Sequence, residues 1–158
     1  SQYLEMIDKK TGALLSLSAI LGPIYCGIDK EIISCYDHFG RNIGRGFQIH
    51  DDLLEITSNQ DLMGKSLGSD LAEGKQTFMV IRARNLFPKQ WKEIIIDSKS
   101  VDLVKNCKLF FDEKGILETT RLKAESYFES ARENLKQIKS INVDELLKFT
   151  NLIEKRTF

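Results

Sequence analysis

Apolar and polar positions along the chain recur at three- and four-residue intervals, and strand-type alternation is scarce. The pattern predicts an all-α chain with helices at about 2–25, 29–57, 76–87, 101–112, 115–139 and 142–156. Pro23 is expected to kink the first helix or mark its end, and Pro88 and the polar run Asp97–Ser100 to mark connectors. The stretch Ala13–Cys26 is apolar apart from Ser16, Ser18, Gly22 and Pro23, and predicts a core helix. The helix at 115–139 carries Leu117, Leu122, Tyr127, Phe128 and Leu135 among many charges, which predicts a surface helix packing on one face. Asn59 to Lys75, with Gly64, Gly68 and Gly74, predicts a long ordered loop, and long loops are often functional lids.

The segment from Asp29 to Ile56 departs from the ordinary amphipathic pattern. Each helical residue advances by about 100°. With Gln48 set at zero, Gly44, Asp51, Asp52 and Glu55 fall within roughly 60° of it. Ile43, Phe47, Ile49, Leu53, Leu54 and Ile56 occupy most of the remaining circumference. A helix that is apolar nearly all round is a buried helix. Asp51, Asp52 and Glu55 therefore form one polar strip on an interior element. Acidic pairs on helices usually face solvent, but the apolar flanks argue against that here. Buried carboxylates are costly unless paired or bound to metal. Hard oxygen ligands on a rigid helix suit Mg²⁺, which shares its coordination sphere with water and substrate phosphates. Gly40, Gly44 and Gly46 weaken a helix, so they point to close packing or close approach of a ligand.

Composition adds limits. With 158 residues and zero net charge, the chain is long enough for one domain, expected to be 1–158, and offers no electrostatic reason to bind nucleic acid or an anionic membrane surface. No apolar run approaches the roughly 20 residues of a membrane span. No basic n-region with a cleavage pattern is present, so no signal peptide is expected, and the initial Ser1 suggests a start within a longer protein. Cys26, Cys35 and Cys107 share no metal-type spacing and predict reduced, buried thiols in a cytoplasmic protein. His38 and His50 do not share a face and are read as packing residues.

The run Gly44-Arg45-Gly46-Phe47-Gln48-Ile49-His50-Asp51-Asp52-Leu53-Leu54-Glu55 resembles the second aspartate-rich motif of the trans-isoprenyl diphosphate synthases, or polyprenyl synthetases, with Glu55 in place of the last Asp. Downstream, Gly64-Lys65-Ser66-Leu67-Gly68-Ser69-Asp70-Leu71-Ala72-Glu73-Gly74-Lys75-Gln76-Thr77 is similar to the family's Gly-Lys and Asp-Leu elements, followed here by Phe78-Met79 rather than Leu-Pro. Upstream, Lys10-Thr11-Gly12-Ala13-Leu14 resembles its Lys-Thr element. The three lie in family order. Tyr127, Phe128, Ala131 and a last helix ending near Arg156 resemble the family's C-terminal helices. The resemblance covers essentially the whole chain, but only the C-terminal half of a usual member.

The resemblance implies the C-terminal part of an isoprenoid-synthase helical bundle. It implies a Mg²⁺-dependent prenyltransferase that condenses isopentenyl diphosphate with an allylic diphosphate. Asp51 and Asp52 would hold one Mg²⁺, with Glu55 as an outer or weak ligand. Lys10, Lys65 and Lys75 would contact diphosphate oxygens. Thr11 and Gln48 would lie near the allylic carbon, and Asp70 would orient a lysine or sit behind the ligands. Family members are usually homodimers. The first Asp-Asp-x-x-Asp motif and the upstream isopentenyl diphosphate-binding residues are not in this sequence, so the chain is expected to be inactive alone and to need a complementing N-terminal half or subunit. A non-catalytic helical partner subunit and a plain interaction module are the competing readings.

Overall fold

The computed structural model of the protein describes residues 2–58, 71, 73–97 and 100–156. Among them the secondary structure is helical, as the periodicity predicts: α1 (Gln2–Ile7), a π-turn (Asp8–Gly12), α2 (Ala13–Tyr25), α3 (Lys30–Thr57), α4 (Phe78–Leu86), α5 (Pro88–Asp97), α6 (Ser100–Glu113), α7 (Ile116–Lys136) and α8 (Asp144–Glu154). The predicted loop and possible lid at 59–75 lies mostly outside the described residues, as do Lys65 and Asp70.

Both prolines stand at helix ends, Pro23 in line with the expected end near residue 25 and Pro88 not as expected. Pro23 sits inside the last turn of α2 and the helix runs on to Tyr25. It ends where Gly27 adopts φ 67°, with Gly27 N–H donating to Ile24 O and Ile28 N–H to Pro23 O, both at 3.0 Å. A left-handed glycine with this pair of bonds is a Schellman stop. Pro88, read as a connector, instead opens α5. Proline at a first helical position loses no intrahelical bond, because that N–H has no partner anyway.

The chain divides into two compact units, residues 2–48 with 123–156, and residues 49–122. In the first, α3 crosses the segment from the π-turn into α2 with backbone against backbone. A Cβ on Gly44 would stand 2.5 Å from the Gly12 Cα, and one on Gly40 would stand 2.5 Å from the Ser16 Cα. The glycines predicted to mark close approach thus mark helix contact. Ala124, Phe128, Ala131 and Leu135 are buried at successive helical steps along α7, with Tyr36, Phe39 and Ile43 of α3 also buried in this unit.

The second unit is packed by side chains. Leu53, Ile56, Met79, Val80, Trp91, Cys107, Phe110, Phe111 and Ile116 form its core. Trp91 stacks on Phe111 with centroids 5.5 Å apart, and Phe87 meets Phe110 edge-on at 5.9 Å. Burial pushes the Cys107 thiol up to about 11. Cys35 is half-buried and Cys26 is exposed, so the expectation of buried thiols fails for Cys26, which lies just past the end of α2.

The prediction of a core helix at Ala13–Cys26 also fails within this chain. Ser16 is the buried residue of α2, whereas Leu14, Leu17, Leu21 and Ile24 are 49–66% exposed. Their spacing of three, four and three places them on one face.

Candidate functional site

From Phe39 to Thr57 no residue of α3 is exposed, which agrees with the interior helix expected from its apolar circumference. Lys10, Thr11 and Gln48 belong to the first unit, and Asp51, Asp52, Glu55 and Lys75 to the second.

In the first unit, the π-turn holds Lys10 and Thr11. The Ala13 N–H bonds to Asp8 O, five residues back, instead of four. Gly12 in this turn is the residue on which Gly44 of α3 rests, and that contact sets the distance between the two backbones. It brings the Thr11 hydroxyl to the Gln48 carboxamide, where Thr11 donates to Gln48 Oε1 at 3.3 Å. Gln48 is 7% exposed and Thr11 half-buried, while Lys10 is exposed. A hydroxyl whose proton goes to Gln48 has its lone pairs left to offer to a positive centre.

Around this turn lies an ion-pair network that the sequence reading missed. Asp8 accepts from Arg41 Nη1 at 2.8 Å and pairs with Arg45 Nη2 at 2.8 Å. Arg41 also donates from Nε to both Asp37 oxygens at 3.2 Å, and the Ser16 hydroxyl donates to the same carboxylate. Burial pushes the Asp37 carboxyl up, but the Ser16 hydroxyl and the Arg41 guanidinium outweigh it and hold the group below its usual value. The Asp37 carboxylate in turn raises Arg41. The spacing of Asp37, Arg41 and Arg45 at four-residue steps was a sequence-visible sign of one charged stripe.

In the second unit, Asp52 is 3% exposed, and its Oδ1 lies 3.4 Å from Lys75 Nζ. Lys75 donates a hydrogen bond to it at that distance, longer than a tight charge-assisted bond of about 2.8 Å. Asp51 and Glu55 are half-buried, one helical turn apart. Lys75 is delivered by the short run before α4, which Thr77 begins: its hydroxyl accepts from Val80 N–H as an N-cap. The reading from sequence gave Thr77 no such task, although a Thr just before an apolar helix is a capping sign.

No group of three or more His, Cys, Asp or Glu side chains able to hold a metal ion occurs among the described residues. Mg²⁺ takes one or two carboxylates and completes its shell with water and phosphate oxygens, so Asp51, Asp52 and Glu55 are donors of the chemical kind it accepts. No helix among the described residues is long and apolar enough to cross a membrane.

The polyprenyl synthetase family model matches residues 1–109. The chain belongs to the polyprenyl synthetase family. As a polyprenyl synthetase chain it is 35% identical over 149 residues to a short chain isoprenyl diphosphate synthase of Methanothermobacter thermautotrophicus, covering 92% of this chain and 46% of that protein. It is 37% identical over 137 residues to a geranylgeranyl diphosphate synthase of Methanosarcina mazei, covering 85% of this chain and 41% of that one. The crystal structure of a heptaprenyl diphosphate synthase from Staphylococcus aureus matches with a TM-score of 0.88 at 25% identity, over 99% of this chain and 50% of that one. A geranylgeranyl pyrophosphate synthetase from Geoglobus acetivorans matches with a TM-score of 0.81 at 31% identity, over 98% and 47%. The chain spans about half the length of the curated relatives it matches.

Proposed function

We propose that this polyprenyl synthetase chain is the C-terminal catalytic portion of a Mg²⁺-dependent prenyltransferase, joining isopentenyl diphosphate to an allylic diphosphate. The observation that carries the reading is the acidic strip on the buried helix α3, with Asp52 enclosed beside Lys75. A carboxylate is kept there at a desolvation cost that an ordinary core position avoids. Similarity to isoprenyl and geranylgeranyl diphosphate synthases supports the prenyl diphosphate chemistry.

In this reading Asp51 and Asp52 hold Mg²⁺, and Glu55 acts as an outer or weak ligand. Bound there, Mg²⁺ supplies Lewis-acid stabilisation of charge on the leaving diphosphate. Lys10, Lys65 and Lys75 contact the diphosphate oxygens, and their charge counts most as the carbon–oxygen bond breaks and negative charge grows. Thr11 and Gln48 face the allylic carbon, where oxygen lone pairs stabilise positive charge. Asp70 orients Lys65 or Lys75. Family order of the motifs supports these assignments.

The working enzyme contains more protein than these residues, either a second copy or a complementing N-terminal half. The exposed Leu14, Leu17, Leu21 and Ile24 of α2 support this, since a solvent-facing apolar stripe favours burial against a partner. A purified chain of verified mass is expected to show no transfer of radiolabelled isopentenyl diphosphate, and transfer at the rate of a complete synthase would overturn that expectation. In the completed enzyme, Asp51→Ala is expected to lower kcat by about 10²-fold or more, a loss in the range seen when a transition-state electrostatic contact is removed. Unchanged turnover with retained partner binding would favour a non-catalytic partner subunit, the reading that the α2 stripe alone would support.

A further inference from the structure

We propose that Asp8 is the positioning residue of the Lys10–Thr11 turn, clamping the π-turn to α3 so that both side chains keep their aim. The proposal rests on the reading of Lys10 and Thr11 as groups that face a diphosphate substrate.

A π-turn inserts one residue into a helical repeat, so Lys10 and Thr11 are rotated by about 100° relative to where an unbroken helix leading into α2 would put them. Such turns are rare, and something must hold them against reverting to the α-helical register. Asp8 occupies the first position of this turn and Gly12 the last. The Asp8 carboxylate takes Arg41 on one oxygen and Arg45 on the other, each at 2.8 Å, from two successive turns of α3. The Asp8 side chain is 18% exposed, against 35% for Arg41 and 30% for Arg45, so the carboxylate is the more enclosed partner of each pair. The Arg41 contact is a charge-assisted hydrogen bond, among the stronger polar interactions available, whereas Arg45 meets Oδ1 as an ion pair without hydrogen-bond geometry.

The other end of the turn is held at the same time. Gly12 lies under Gly44, and the space above Gly12 is taken by Asp8 itself, whose Oδ1 would stand 3.0 Å from an added Cβ. Four residues beyond Gly12, Ser16 donates to Asp37, and Asp37 also binds Arg41. One connected network therefore grips the segment before and after the turn. Lys9 pairs outward with Glu5 at 2.6 Å, and Lys10 is exposed.

The test uses the 158-residue chain by NMR, with Mg²⁺ and inorganic pyrophosphate as the probe. Asp8→Asn keeps the shape and removes the charge. Amide exchange at Gly12 and Ala13 is expected to quicken by about tenfold, and the Gln48 side-chain amide resonances to move, while amides around Phe111 stay unchanged. Asp8→Glu should restore part of both signals. Arg45→Gln should reproduce them, and the double variant with Asp8→Asn should do little more than either alone, because both remove one interaction. Should Asp8→Asn unfold the first unit, Arg45→Gln and Asp8→Glu carry the same two readouts. Unchanged exchange and an unmoved Gln48, or fully additive effects, would overturn the clamp. Pyrophosphate should shift the Thr11 amide in the wild type and bind about tenfold more weakly to Asp8→Asn. Equal binding with a loosened turn would also overturn the positioning role. No pyrophosphate response in the wild type, together with a loosened turn in the variants, would leave the clamp standing and remove the diphosphate reading instead.

Discussion

In the first unit, Gly44 lies so near Gly12 that an added Cβ would stand 2.5 Å from its Cα; in the second, Trp91 and Phe111 pack ring on ring at 5.5 Å. Side-chain packing can relax around a change, because neighbouring rotamers shift to fill part of the space. Backbone contact cannot, because both partners are fixed in helices. The polar groups that need a set distance, Thr11 with Gln48 and Asp8 with Arg41 and Arg45, sit on the contact that cannot relax. The buried Asp52 depends instead on Lys75, which arrives from outside the helix ahead of α4.

Phe111→Ala should show the largest effect. The ring is fully buried, and its loss should cost about 4 kcal/mol of unfolding free energy in urea titration. A cost under about 1 kcal/mol would mean that this core collapses far more freely than cores usually do, and would blur the contrast. Gly44→Ala should follow at about 3 kcal/mol, with loss of the Thr11–Gln48 bond visible in the Gln48 side-chain resonances. Gly46→Ala sharpens the point, because its Cβ would meet the Phe128 ring at 3.0 Å and not backbone. A ring can move aside, so this variant should cost about 1 kcal/mol. Equal losses at Gly44 and Gly46 would refute the distinction between yielding and unyielding neighbours.

Smaller still is Thr77→Ala, which removes the hydroxyl that caps α4. Its capping bond is long, at 3.4 Å, so the loss should be about 0.5 kcal/mol, with faster amide exchange at Val80 and no change at Gly12 and Ala13. The smallest effect concerns pH. The folded Asp37 carboxyl is held below its usual value, so its contribution is complete above the ordinary aspartate pKa of about 4 and is lost as pH falls through the lowered folded value. Asp37→Asn should flatten that part of the acid unfolding curve measured by circular dichroism. An unchanged curve would show that another carboxylate governs acid stability.

Much of the candidate site was legible because it depends on spacing along one helix. The positions of Asp51, Asp52 and Glu55 relative to the apolar residues of α3 require only helical geometry. The three motifs marked the family, and their order survives in the chain. Less legible were features that require a second segment. Gly40 and Gly44 announced close approach, but not that Ser16 and Gly12 were the partners. The π-turn has no periodic mark in five residues. The apolar run of α2 read as core because hydrophobic pattern reports what a face prefers to meet, not whether this chain supplies it. Pro88 read as a break because proline is compatible with both a connector and a first helical turn.

What the sequence by itself determined is the all-α class, the interior character of α3 and the acidic strip along it, since each follows from local periodicity and residue chemistry. Tertiary structure alone decided which groups meet: Thr11 with Gln48, Asp8 with two arginines, Asp52 with Lys75. These pairs join residues 23 to 37 positions apart, as in Lys75 with Asp52 and Thr11 with Gln48. Helical repeat relates residues a few positions apart, whereas pairing at such separations is set by where two segments can touch, and in the first unit the absence of side chains at Gly12 and Gly44 sets it.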